Sequence, residues 1–272
     1  GVDPIVFELE GFYVPPGYGA LLFFLVLLNY AVVLFGNGVV MLVTILDQTL
    51  HRPMFVMICH LVVCDLLGST AVLPCLMGQF LMGQKRIAYI AGIAQGFCVH
   101  TYGVAVQTLL GAMAYDRYVA VCEPLRYHTI MTPARLHACC TVAWSTAVVC
   151  ITVLFGVCVF PGLSMSWCIS SGVFVIIAFT YIKILHSSIK HGRSDFTVRS
   201  KAFQTCATHL VVYVLFEISS TIIILTYRFP SASANIKKFL SILFIVVPPA
   251  LNPIIYGLIS RELLMSLRSC CF

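Results

Sequence analysis

Long apolar stretches broken by short polar ones run the length of the chain, and charged residues mark the breaks. No charged residue lies between Glu10 and Asp47. A helix crosses the bilayer core in about 20 apolar residues, so residues 19–46 are long enough to span it. The stretch 54–82 carries only Asp65, and 87–115 carries no charge at all. The uncharged run from Leu136 to Ile182 is too long for one crossing and long enough for two. Pro161-Gly162 lies inside that run and predicts a turn, dividing it into spans 138–160 and 163–185. The sixth stretch, 202–227, contains His209 and Glu217, and the seventh covers 239–258. Residues 260–269 then predict a short amphipathic helix on the cytoplasmic membrane surface, with Leu263, Leu264 and Leu267 apolar and Arg261, Glu262 and Arg268 charged. The expected fold is an all-α membrane protein: one seven-transmembrane helix bundle over residues 1–272.

Composition supports lipid as the solvent. The chain is 60% hydrophobic and 10% charged, against about 25% charged in ordinary soluble domains. A soluble enzyme is not expected. The net charge of +6 is spread over loops, without the one-faced basic cluster that nucleic-acid binding needs. Loops after the first, third and fifth spans, with the tail and Lys183 at the end of the fifth span, hold 11 Lys and Arg; the N-terminal segment and the other loops hold 5. Positive residues favour the cytoplasm, which predicts the N-terminus outside and the C-terminus inside. Gly1 to Glu10 is acidic and carries no recognisable cleavable signal. There is no internal repeat of the kind transporters use, so a membrane transporter is a remote alternative. Most of the 13 cysteines fall in predicted spans as small apolar packers. Cys158 and Cys168 flank the fourth-fifth hairpin and are a candidate pair, while Cys270 and Cys271 are lipidation candidates. No metal or cofactor is expected.

Three groups of polar residues have chemistry that lipid makes costly. An Asp at a helix centre costs about 2.5–3.5 kcal/mol on insertion scales, so Asp65 should face the bundle, with Asn37 and Asn252 as partners at similar depth. It serves either as glue between helices or as a switching element. Asp116, Arg117 and Tyr118 end the third span, where an acid-base pair either marks the boundary or holds Arg117 in one of two states. Pro253 removes a backbone hydrogen bond and kinks the seventh span; Asn252 can satisfy a freed polar group, and Tyr256 lies one turn on.

In combination these segments resemble the rhodopsin-like G-protein-coupled receptors, and within them the olfactory (odorant) receptors. The resemblance is carried by Gly36-Asn37, by Pro53-Met54-Phe55 leading to Cys64-Asp65-Leu66, and by Met113 to Cys122. It continues through Lys201-Ala202-Phe203-Gln204-Thr205-Cys206-Ala207-Thr208-His209 and Pro248 to Tyr256, and Glu123 to Tyr127 fits the second intracellular loop. His100-Thr101-Tyr102-Gly103 looks most like fish-type members. The resemblance implies a multi-pass cell-membrane receptor that binds a small odorant and activates a heterotrimeric G protein of the stimulatory, olfactory type. Implied ligand positions are His100, Gly103, Val104, Gln107, Met165, Ile169, Glu217, Ser220, Thr221, Ile224 and Ile245. Implied activation residues are Asn37, Asp65, Asp116, Arg117, Tyr118, Tyr181, Asn252, Pro253 and Tyr256. Lys190, Arg193, Arg199 and Lys201 would meet the G protein or anionic lipid, or simply follow the charge rule.

The chain also departs from the family. Gly92 stands where the family has a cysteine at the outer end of helix three, and the long second extracellular loop is nearly absent around Val159 to Leu163. No Asn begins a glycosylation triplet. Val106 stands where the family has a second acid near Asp65, so no sodium site is expected. A folded but non-signalling product is therefore an alternative reading. Glu217, where many relatives have Tyr, should be either protonated or paired. It anchors a ligand amine or other donor, or bonds a neighbour such as His100 or Gln107.

Overall fold

The computed structural model describes residues 6–8, 14, 17–83, 86–157, 161–190, 196–228, 234–259, 263 and 265–266. In chain order the helices are α1 (Gly19–Leu46), α2 (Pro53–Met82), α3 (Tyr89–Cys122), the short α4 (Tyr127–Ile130), α5 (Pro133–Val157), α6 (Pro161–Lys190), α7 (Phe196–Arg228) and α8 (Ala234–Ile259). Two strands, β1 (Val6–Glu8) and β2 (Arg86–Ala88), pair antiparallel, with Glu8 opposite Arg86. Among the described residues, six helices are long and apolar enough to cross a membrane, and the apolar stretch His209–Ile223 of α7 is shorter. α7 itself has 33 residues, about 50 Å at 1.5 Å per residue, which exceeds a hydrocarbon core of about 30 Å.

Packing places α3 at the centre, against α2, α5, α6 and α7, while α8 closes the ring onto α1, α2 and α7. The core between α2 and α3 holds Met57, Ile58, Leu61, Cys64, Ala105, Leu109, Leu110 and Met113, all buried. Large side chains point outward instead: Phe35 is 77% exposed, and Leu28, Phe174, Val175 and Ile182 are also exposed. Exposed apolar area on that scale is unusual for a soluble monomer and is what lipid covers.

Several boundaries differ from those read in the sequence, for identifiable reasons. Pro161-Gly162 is not a turn; it opens α6, where proline suits the first helical position because that N–H has no intrahelical acceptor. The connection from α5 is confined to residues 158–160, outside the described residues, and so is Cys158 of the candidate pair; Cys168 is exposed. α3 continues past Tyr115 to Cys122, its terminal acid and base being satisfied by each other and by Tyr127 of α4. α2 stops at Gly83, whose φ of +63° is a left-handed cap that glycine adopts without strain.

The kink in α8 is served differently from the expectation. Pro253 has no N–H to give the Pro249 carbonyl, and Asn37 Nδ2 of α1 donates to it at 3.0 Å. Gly36 lets α1 come this close, since a Cβ there would lie 3.1 Å from Pro253 Cβ. Asn252 is committed elsewhere. Asn37→Ala should leave the Pro249 carbonyl buried and unpaired, at a cost of about 1–3 kcal/mol. Thermal unfolding of the purified protein should show a lowered midpoint.

Of the expected surface helix, only residues 263, 265 and 266 are described, all helical, with Leu263 and Ser266 buried. Cys270 and Cys271 lie outside the described residues. The Ser266 hydroxyl donates to Asp47 Oδ2, tying this segment to the turn after α1. That bond, followed by those from Thr49, holds the Asp47 carboxyl below its usual range. Its contribution is therefore present at neutral pH and lost as pH falls from the ordinary carboxylate range down through that lowered value.

Candidate functional site

The C-terminal end of α3 carries a polar cluster. Arg117 donates from Nε and Nη2 to Asp116 Oδ2, and the Tyr127 hydroxyl donates to Asp116 Oδ1 at 2.8 Å. Asp116 is fully buried, so both oxygens need such donors. Burial, and then the neighbouring Asp116 charge, push the Tyr127 hydroxyl well above its usual range. It therefore remains a donor at any physiological pH. Across the bundle the Tyr181 hydroxyl donates to the Cys206 carbonyl at 2.8 Å and lies 2.8 Å from His209 Nδ1, with the two rings stacked. One hydroxyl proton serves one acceptor, so His209 donates from Nδ1 when the carbonyl is the acceptor. Tyr118 is half-buried against the core.

One level outward, Asn252 Nδ2 of α8 donates to Asp65 Oδ2 of α2 at 2.8 Å. Asp65 Oδ1, Ser69 Oγ, Asn37 Oδ1 and the hydroxyls of Tyr102 and Tyr256 are buried without a protein partner. Buried polar groups of this kind are normally satisfied by internal water. Val106 is buried and apolar.

The ligand positions inferred from the resemblance divide. Gln107 of α3 and Glu217 of α7 are joined, Nε2 donating to Oε1 at 3.0 Å. Ser170 of α6, absent from the sequence reading, donates from Oγ to Glu217 Oε2 at 2.7 Å. It lies one residue beyond the expected Ile169, and asking which hydroxyl of the fifth span could reach a carboxylate would have found it. His100 takes no part; it is exposed, and its ring meets Phe155 of α5 edge-on at 6.1 Å. Val104, Ile169, Ser220 and Thr221 are half-buried, Ile245 is buried, and Gly103 faces open space. Ser220 Oγ donates to the Glu217 backbone carbonyl at 3.0 Å. The side chains of Met165 and Ile224, and those of Lys190, Arg193, Arg199 and Lys201, lie outside the described residues.

A family model described as "Olfactory receptor" matches residues 25–174 and 160–270. The chain is 33% identical over 310 aligned positions to human olfactory receptor 2C3, covering 99% of this chain and 95% of that one. Against human olfactory receptor 10H1 it is 30% identical, covering 98% and 93%. Squid rhodopsin has the same fold, with a TM-score of 0.78 over 96% of this chain and 87% of its own at 16% identity. The two family matches overlap at 160–174, where α6 begins. An alignment of 310 positions to a chain of 272 also means that the relative carries residues without a counterpart here.

Proposed function

Because the chain belongs to the olfactory receptor family of rhodopsin-like G-protein-coupled receptors, we propose that it binds a small odorant among the outer halves of α3, α6, α7 and α8 and activates a stimulatory heterotrimeric G protein. As a family member it is a multi-pass receptor of the cell membrane and not an enzyme. In this reading the Lys and Arg distribution puts the N-terminus outside and the tail inside, and the His100-Thr101-Tyr102-Gly103 segment supports an affiliation with fish-type members.

The observation that carries this reading is the Gln107–Glu217 bond. Gln107 shares α3 with Arg117, and Glu217 shares α7 with Cys206 and His209, which hold Tyr181. A ligand that alters the outer bond biases the two helices that carry these polar contacts. An odorant preferring the active arrangement shifts a pre-existing equilibrium. The inner end of α7 moves outward, Arg117, Tyr181 and Tyr256 rearrange, and Lys190, Arg193, Arg199 and Lys201 meet the G protein or anionic lipid. In this account Asp116→Asn weakens the hold on Arg117. A bias of about 1.4 kcal/mol is about tenfold in a minor active population, so basal cAMP in cells should rise by up to about that factor.

A second reading has its own support. Only residues 158–160 join α5 to α6, which leaves no long lid, and Gly92 offers no cysteine to tether one. In this reading the chain folds but does not signal. Surface labelling combined with a cAMP response to an odorant panel separates the two. Surface protein with a response supports the receptor reading. A silent or retained protein that is rescued by grafting a full second extracellular loop supports the other.

A further inference from the structure

Glu217 is a half-buried carboxylate within a transmembrane helix, and its described partners are neutral: an amide from Gln107, a hydroxyl from Ser170 and, one turn earlier on α7, the phenol of Tyr213 that faces it. The other two acids in the bundle are placed differently. Asp116 has Arg117 as its counter-ion. Asp65 is enclosed at 1% exposure and bonded to Asn252. Glu217 alone of the three combines a missing cationic partner, among the described residues, with a carboxylate that is not fully enclosed.

Carboxylate chemistry then defines what fits. An ionised carboxylate offers about four lone-pair sites; Gln107 and Ser170 occupy one on each oxygen, and the Tyr213 hydroxyl is placed to take a third, which leaves room for a ligand donor. The remaining site accepts a hydrogen bond and cannot donate one. An aldehyde, ketone or ester brings only acceptors to this spot, and an acid brings a like charge. An alcohol brings one neutral donor. A protonated amine brings up to three donors and the opposite charge, the strongest pairing in a medium of low dielectric. Ser220 does not compete, since its hydroxyl is turned to the Glu217 backbone carbonyl. The nearby side chains are apolar: Phe216, the α7 neighbour of Glu217, packs at 6.1 Å from Tyr102 and 5.1 Å from Phe244, and Val104 and Ile169 pack on the same core.

We propose that Glu217 is the counter-ion for a protonated amine carried on a small apolar body. The inference rests on the small-molecule reading above and names the ligand class for it. Charge-assisted hydrogen bonds contribute about 1.5–3 kcal/mol, equivalent to about 10- to 100-fold in affinity.

The test uses the full chain, purified into lipid nanodiscs at pH 7, with n-hexylamine and 1-hexanol as paired probes. Ligand-dependent thermal stabilisation gives the affinities. Wild type should bind hexylamine about 10- to 100-fold more tightly than hexanol. Glu217→Gln, nearly the same shape without the charge, should level the two, and Glu217→Asp should restore most of the preference. Equal affinities in wild type, or an amine preference that survives Glu217→Gln, overturns the proposal. Binding is read apart from signalling, so an amine-selective but silent protein sinks the receptor function and leaves the ligand class standing. An odorant-responsive protein indifferent to amines does the reverse.

Discussion

A chain carrying Gly68→Leu should not reach the cell surface. Gly68 lies on α2 where the ring of Tyr102 from α3 is pressed against it: a Cβ would sit 2.7 Å from Tyr102 Cγ and 3.0 Å from both Cδ atoms. That ring has no room to retreat. Tyr102 is fully buried, with Phe216 at 6.1 Å and Phe244 at 5.8 Å edge-on around it. The substitution must therefore part α2 from α3 or break the aromatic cluster that joins α3, α7 and α8. Overpacking a dense core costs about 1–3 kcal/mol and occasionally more, and native stabilities are only about 5–15 kcal/mol. Gly68→Ala should be a milder version of the same defect. Gly103 is the internal control: a Cβ there meets nothing within 4 Å. Gly103→Leu should keep normal surface expression while narrowing the proposed ligand site. Surface labelling and thermal unfolding of the three variants give the comparison. Normal expression of Gly68→Leu would refute the α2–α3 packing described above.

The second large effect concerns the link between α2 and α8. Asn252→Leu removes the one described hydrogen bond to the Asp65 carboxylate, whose other oxygen already lacks a protein partner. The penalty for a buried acceptor left unpaired is about 1–3 kcal/mol. It falls on the contact that fixes α8 beside α2, so signalling should fail and the unfolding midpoint should drop. The reciprocal exchange, Asp65→Asn with Asn252→Asp, keeps an amide facing a carboxylate. If this bond is what matters, the double variant should recover a substantial part of the stability that either single change loses. Additive losses in the double variant would show that the two residues act separately.

The fold was legible where lipid imposes it. Charge-free runs locate the spans because each polar group in the bilayer must be satisfied internally. Division of the uncharged run at Pro161-Gly162 came within a few residues of the join and misread its chemistry, since proline punctuates both turns and helix starts. The β1–β2 pairing has no counterpart in the sequence pattern because three-residue strands leave no periodic signal. At the candidate site, sequence order suggested Asn252 for the freed carbonyl of α8. The structure assigns that task to Asn37, whose partner lies 212 residues away in the chain. The Glu217 partners show the same limit. Residue type marked the carboxylate as needing donors, and only the packing of α3, α6 and α7 shows that Gln107 and Ser170 supply them while His100 turns to Phe155.

The central claim, that this bundle converts small-molecule binding into G-protein activation, is tested most directly by nucleotide exchange. The purified chain in nanodiscs is mixed with a stimulatory heterotrimer, and uptake of a labelled, non-hydrolysable GTP analogue is followed with and without an odorant panel. The account predicts that at least one odorant accelerates exchange in the wild-type protein and that Arg117→Ala abolishes the acceleration with binding intact. A folded wild-type protein that leaves exchange at its uncatalysed rate across the panel, or an Arg117→Ala variant that accelerates it equally, would contradict the account.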